Sequence, residues 1–96
     1  MAETPGCTWC ARWEREIGGA YPLTPEGRRA PLRHIALAAP PEEIRFAAPL
    51  RVSPTFVLVE DGAEVGRIEG HPGDLFFWPM LDALLKRLPA PAPNGV

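Results

Sequence analysis

The chain has two cysteines, two histidines and no long apolar run, and each shortage excludes something. No window approaches the roughly 18 consecutive apolar residues of a membrane-spanning helix. The opening "MAETPGCTWC" has neither the basic stretch nor the apolar core of a secretory signal. Positive charge is not in excess: 10 Lys and Arg against 12 Asp and Glu leave a formal charge of −2, so there is no basic footprint for nucleic acid. Two cysteines cannot build a multi-bridge disulfide scaffold. With 96 residues, 46% of them hydrophobic, the chain suits one small domain with one core.

Proline and glycine, by contrast, are abundant and cut the chain into short elements. "ARWEREIGG" places Trp13 and Ile17 on the same helical face as Cys10, with Gly18 and Gly19 as a stop. A helix whose first turn carries "CTWC" is expected. In "YPLTPEGRRAP", Thr24 followed by Pro25 has the form of an N-cap and first helical residue, so a short helical turn follows. The apolar run Leu32 to Ala38 reads as a strand, and "PPEEIRFAAPL" as a second helix with Ile44 and Ala47 or Ala48 on one face. Thr55 to Glu60, Asp61-Gly62 and the residues around Val65 and Ile68 form the pattern of an antiparallel hairpin with a type I′ turn. "DLFFWPMLDALLKRL" predicts a terminal helix capped by Asp74, with a stripe through Leu75, Trp78, Leu81, Leu85 and Leu88 and a break or late start at Pro79. The predicted domain covers residues 1–88, and residues 89–96 form a proline-rich tail. A strand, a helical crossover and an antiparallel pair together imply an α/β fold with a mixed sheet and helices packed on it.

The chemistry rests on Cys7 and Cys10. A cysteine at a helix N-terminus faces unpaired N–H groups, which favour the thiolate, and Cys7 is so placed. Cys10, one turn further in, lies on the same face and can attack a mixed disulfide formed at Cys7. This makes Cys7 the candidate nucleophile and Cys10 the candidate resolving cysteine, while Trp9, pushed outward between them, is a candidate substrate surface together with Thr8. Two rivals stay open. A metal-binding module would hold zinc or copper through Cys7 and Cys10, but a site of about four ligands would need His34 and His71, which are far apart and not in a paired spacing. A purely structural disulfide closes a loop so short that it constrains little of the unfolded chain. Arg12, Arg15, Arg28 and Arg29 read as solvated surface residues, His71 as a turn residue, and Phe76, Phe77 and Trp78 as helix packing.

Pro54, in "VSPTF", is compatible with an ordinary strand start. With a CxxC upstream and a hairpin directly after it, the arrangement resembles the thioredoxin-like superfamily. "CTWC" matches its redox motif, and Ser53, Pro54 and Thr55 match its cis-proline loop. The stretches "PGCTWCARWEREIG", "YPLTPEGRRAPLR" and "SPTFVLVEDGAEVGRIEGHPGDLFFW" are more specific still and resemble the SoxS-type thioredoxin-like proteins of bacterial sulfur-oxidation operons, over roughly Pro5 to Leu88.

That resemblance implies a thioredoxin-like fold and a thiol-disulfide oxidoreductase without a cofactor. It implies that the backbone of Ser53 pairs with an extended substrate segment, with Pro54 and Thr55 shaping the groove, and that Pro54 keeps metal off the two sulfurs. The implied partners are a protein disulfide or thiol substrate, with the sulfur carrier SoxYZ as the specific case, and an upstream thiol reductant. The implied compartment is the periplasm, with the cytoplasm as the alternative. Glutaredoxin-like reduction of glutathione mixed disulfides is the enzymatic alternative, since "CTWC" shares an aromatic third residue with "CPYC". The sequence departs from the family at one place. The strand that normally precedes the CxxC helix has no apolar run in "MAETPG", so the sheet is expected to lack it, through an incomplete sequence or, less readily, through a dimer that completes the sheet. The same gap removes the position of the buried carboxylate that serves some thioredoxins as a general base.

Overall fold

The computed structural model describes residues 1–89, and the tail expected over residues 89–96 lies, from residue 90, outside the described residues. The elements run β1 (Ala2–Glu3), α1 (Thr8–Trp13, continued by a wider helical turn over Glu14–Gly18), a single 3-10 turn (Tyr21–Leu23), α2 (Pro25–Arg29), β2 (Ile35–Ala36), β3 (Thr55–Glu60), β4 (Ala63–Glu69) and α3 (Asp74–Leu85). They build a mixed sheet in the order β2-β1-β3-β4, with β1 parallel to β2 and antiparallel to β3.

Each element follows from local chemistry where the sequence is unambiguous. Thr24 caps α2: its Oγ1 accepts the Gly27 N–H at 3.0 Å, and Pro25 occupies the first helical position. Gly27 has no side chain because a Cβ there would drive into the carbonyl of Tyr21. The hairpin turns where expected, with Asp61 at φ 52° and Gly62 at φ 77°, the two positive values that a type I′ turn requires. A bulge between Leu58 and Val59 shifts the register of β3 on β4.

Phe56, Leu58 and Ile68 project from one face of the sheet into the core, where α1 supplies Cys10, Trp13 and Ile17 and α3 supplies Phe77, Leu81, Leu84 and Leu85. The centre is aromatic: Trp13 lies 5.0 Å from Phe56 and 5.5 Å from Phe77 between ring centroids, and Tyr21 stacks on Trp78 at 6.0 Å. The Tyr21 hydroxyl donates to the Ala30 carbonyl at 2.6 Å. Burial, aided by Glu26, pushes that phenol up to about 12, so it stays a donor throughout the physiological range.

Four expectations are corrected. The sheet does have a strand before the CxxC helix: Ala2–Glu3 sits between β2 and β3, with Ala2 fully buried. A strand of two residues has no alternation to read, and backbone bonds define it, Ile35 N–H to the Met1 carbonyl and Leu37 N–H to the Glu3 carbonyl. The strand expected over Leu32 to Ala38 contracts to Ile35–Ala36 for the same reason, since its partner is equally short. The second helix does not form. Residues 40–50 are irregular: Ile44 makes a single turn bond to the Pro41 carbonyl, Arg45 bridges to Ala63, and the Arg45 backbone bonds to Gly62 and Glu64 of the hairpin in place of a helical ladder. At α3 the cap is Gly73, with Asp74 already helical, and the buried stripe is Phe77, Leu81, Leu84 and Leu85, leaving Leu75 80% exposed. Pro79 is accommodated within that helix.

Candidate active site

The cap of α1 brings the two sulfurs together. Cys7 is extended at φ −69° and ψ 110°, its carbonyl accepts the Ala11 N–H at 3.1 Å, and its Sγ accepts the Cys10 N–H at 3.1 Å. A short cap followed by three helical residues sets Cys10 one turn below Cys7, and the two form a disulfide with their Cα atoms 5.2 Å apart. Burial separates their roles in space. Cys7 is half-buried at the rim, whereas Cys10 is 3% exposed beneath it. The same Cys10 N–H is aimed at Cys7 Sγ, where it can donate to the sulfur when the disulfide opens.

The second wall is the turn ahead of β3. The Ser53–Pro54 peptide bond is cis, and Pro54 and Thr55 are buried. The Thr55 hydroxyl donates to the Val52 carbonyl and ties the turn to itself. Ser53 reaches further than a reading of its backbone alone suggests: its Oγ lies 3.3 Å from Cys10 Sγ and accepts the Thr4 N–H at 2.9 Å. A disulfide sulfur has no proton, so the hydroxyl is the donor to Cys10 here. One small side chain thus joins the end of β1, the inner sulfur and the cis turn. Serine before the proline was the only sequence signal for this contact, and it pointed to the backbone.

Trp9 stands 53% exposed between the cysteines, and Thr8 is exposed beside it. The Arg12 guanidinium lies over the Trp9 ring, 5.4 Å from its centroid. Arg12 Nε donates to Glu16 at 3.1 Å, and Glu16 Oε1 meets His71 Nε2 at 2.7 Å. The Gly73 N–H donates to His71 Nδ1, which assigns the proton to Nε2 and makes the histidine the donor to Glu16. The bonds from His71 and then Arg12 hold the Glu16 carboxyl below the ordinary range. His71 lies in the loop before α3, as its reading as a turn residue has it, and its side chain, 1% exposed, also anchors that loop to Glu16. On the other flank of α1, His34 links Glu3 and Glu14. Among the described residues no group of three or more His, Cys, Asp and Glu side chains is arranged to hold a metal, and His34 and His71 each face carboxylates away from the cysteines.

The arrangement, a half-buried sulfur at a helix cap over a buried partner and beside a cis turn, suits two-electron exchange between a dithiol and a disulfide. No protein-family model matches the chain, and no match was found among curated proteins. A solved structure does match: the crystal structure of the reduced form of the periplasmic thioredoxin SoxS from Paracoccus pantotrophus is 49% identical, over 91% of this chain and 93% of that one, with a TM-score of 0.87.

Proposed function

The chain belongs to the thioredoxin family, of the SoxS type, and is a thiol-disulfide oxidoreductase; from that premise we propose that it reduces a protein disulfide or thiol adduct in the periplasm, with a SoxYZ-type sulfur carrier as substrate. The observation that carries the reading is the asymmetric pair, Cys7 reachable at the rim and Cys10 buried below it. The Cys7 thiolate attacks a substrate sulfur, breaking the substrate S–S bond and releasing one substrate thiolate. The Cys10 thiolate then attacks Cys7 Sγ, the second substrate sulfur leaves as a thiolate, and the Cys7–Cys10 disulfide remains. Two electrons pass to the substrate, and an upstream thiol reductant restores the dithiol. A hydrogen bond from Ser53 Oγ, 3.3 Å from Cys10 Sγ, stabilises the Cys10 thiolate that makes the second attack. Thr8 and Trp9, both exposed, line the groove in which an extended substrate segment pairs with the backbone of Ser53, and the buried Pro54 and Thr55 shape its floor from beneath.

The compartment is carried by the similarity to a periplasmic protein; no described helix is long and apolar enough to cross a membrane. A redox titration of the pair against a dithiol buffer, read by alkylation mass shift, tests the direction of electron flow. A single two-electron transition near thioredoxin's potential of about −270 mV supports the reductase, whereas one near about −120 mV makes the protein an oxidant.

A further inference from the structure

The tryptophans of this chain are held in different ways. Trp13 and Trp78 pack against other rings, whereas no aromatic ring among the described residues lies against Trp9, and it is the Arg12 guanidinium that sits over its exposed ring. A long side chain that is 52% exposed fixes little by itself, because the contact it makes in water is offset by the rotamer freedom it gives up. Arg12 is held in turn. Its Nε donates to Glu16 Oε2 at 3.1 Å, and the other oxygen of the same carboxylate, Oε1, accepts from His71 Nε2 at 2.7 Å. The imidazole is 1% exposed, in the loop between β4 and α3, and that loop is tied to the cis turn, since the Gly70 N–H donates to the Pro54 carbonyl at 2.7 Å. An ordinary i,i+4 pair on a helix surface needs no buried third member. Here the line from Trp9 through Arg12 and Glu16 to His71 starts in the redox turn and ends in a segment bonded to the opposite wall of the groove.

We propose that Arg12, Glu16 and His71 are positioning residues that hold the Trp9 ring in one orientation, and that the part of the ring left exposed is where a protein substrate lays an apolar side chain next to its reactive sulfur. The three act through Trp9 and not on the substrate. Their effect is on binding, because an indole whose orientation is set before encounter has less freedom to lose when a segment is laid on it. The inference rests on the oxidoreductase reading above and on the place of Trp9 in its groove.

The test mixes the reduced full chain with excess of a peptide disulfide carrying leucine beside the cysteine, or with hydroxyethyl disulfide, which has no neighbouring segment. Oxidation of the Cys7 and Cys10 pair, followed by acid quench and alkylation mass shift, gives a limiting rate and a half-saturating concentration. Trp9→Ala should raise the half-saturating concentration of the peptide at least about fivefold, the effect of losing a tryptophan anchor. Glu16→Ala and Arg12→Ala should each raise it by about threefold, the share of an exposed contact between a cation and a ring, with the limiting rate and the rate on hydroxyethyl disulfide unchanged. In the Trp9→Ala background neither should have any further effect, since a residue that acts through Trp9 has nothing left to position. A half-saturating concentration unchanged in Glu16→Ala, or raised as much without Trp9 as with it, would overturn the proposal. So would a loss shared equally by hydroxyethyl disulfide, which marks a general structural role, or a Trp9→Ala variant that binds the peptide as the wild type does. Failure of the wild type to reduce either disulfide would instead overturn the oxidoreductase reading beneath it.

Discussion

The groove around Cys7 and the irregular segment over residues 40–50 are both held to the sheet by side chains bonded to backbone, yet they differ in what their sequences announce. Around the groove, a cap, a helix and a proline turn meet, and each has a local signature: "CTWC", the Trp13 and Ile17 spacing, "SPTF" before a hairpin. In residues 40–50 the local signature is for a helix, and the fold overrides it. Arg45 donates its N–H to the Gly62 carbonyl at 2.7 Å and accepts from Glu64 at 2.9 Å; the Ala47 N–H bonds to the Glu64 carboxylate, and Arg67 reaches the carbonyls of Ala48 and Pro49. The Glu64–Arg67 pair, with side chains 4% and 14% exposed, serves the segment as a substitute for the helical bonds it lacks. Local patterns place reactive atoms well, whereas a segment pinned by partners far along the chain is visible only after folding.

This contrast can be broken from either side. The largest effect expected is on chemistry alone: Cys7→Ser should lower turnover of a protein disulfide by at least about a thousandfold, as loss of a nucleophile does, while the urea midpoint of the reduced protein barely moves. Arg67→Ala should do the reverse. It strands the Glu64 carboxylate and frees two carbonyls, costing about 3 kcal/mol of stability by urea unfolding, with the rate per folded molecule retained. A loss of turnover equal to that of Cys7→Ser would show the two regions to be one.

Smaller effects sharpen the comparison. Ser53→Ala removes one hydrogen bond from Cys10 Sγ and one from the Thr4 N–H, each worth about 1 kcal/mol, and should slow resolution of a mixed disulfide by about fivefold in stopped-flow traces. The mildest expected effect is on acid stability. The bonds from Arg67, aided by the Ala47 N–H, hold the Glu64 carboxyl below the ordinary carboxylate range. A depressed carboxyl contributes its stability above its unfolded pKa, about 4.3 for Glu, and loses it as pH falls below that through the lower folded value, so the contribution should fade on the acid side of the ordinary carboxylate range. Glu64→Gln should flatten that limb in urea titrations, leaving the parts due to Glu16 and Glu43, whose carboxyls are also lowered.

Legibility in the sequence followed the range of the interaction. The α1 cap, the Thr24 cap and the Asp61-Gly62 turn are decided within four residues, and the structure has all three. The inner strand Ala2–Glu3 was missed because two residues carry no period, and its place depends on β2 and β3. The α3 stripe was legible at Leu81 and Leu85, with Trp78 and Leu88 packed against the core, and failed at Leu75, since the aromatic cluster around Trp13 draws Phe77 inward in its place. At the site, the cysteines and the proline turn were legible, but the Ser53 hydroxyl on Cys10 and the His71–Glu16–Arg12 chain depend on residues brought together across 43 and 55 positions.

The central claim is that Cys7 alone meets the substrate and Cys10 alone releases it. Its most direct test is trapping: Cys10→Ser and Cys7→Ser variants, each reduced and mixed with the same protein disulfide, are quenched by acid and weighed by mass spectrometry. The account expects a stoichiometric mixed disulfide through Cys7 in Cys10→Ser and none in Cys7→Ser. Equal adducts in both variants, or an adduct through Cys10, would contradict it.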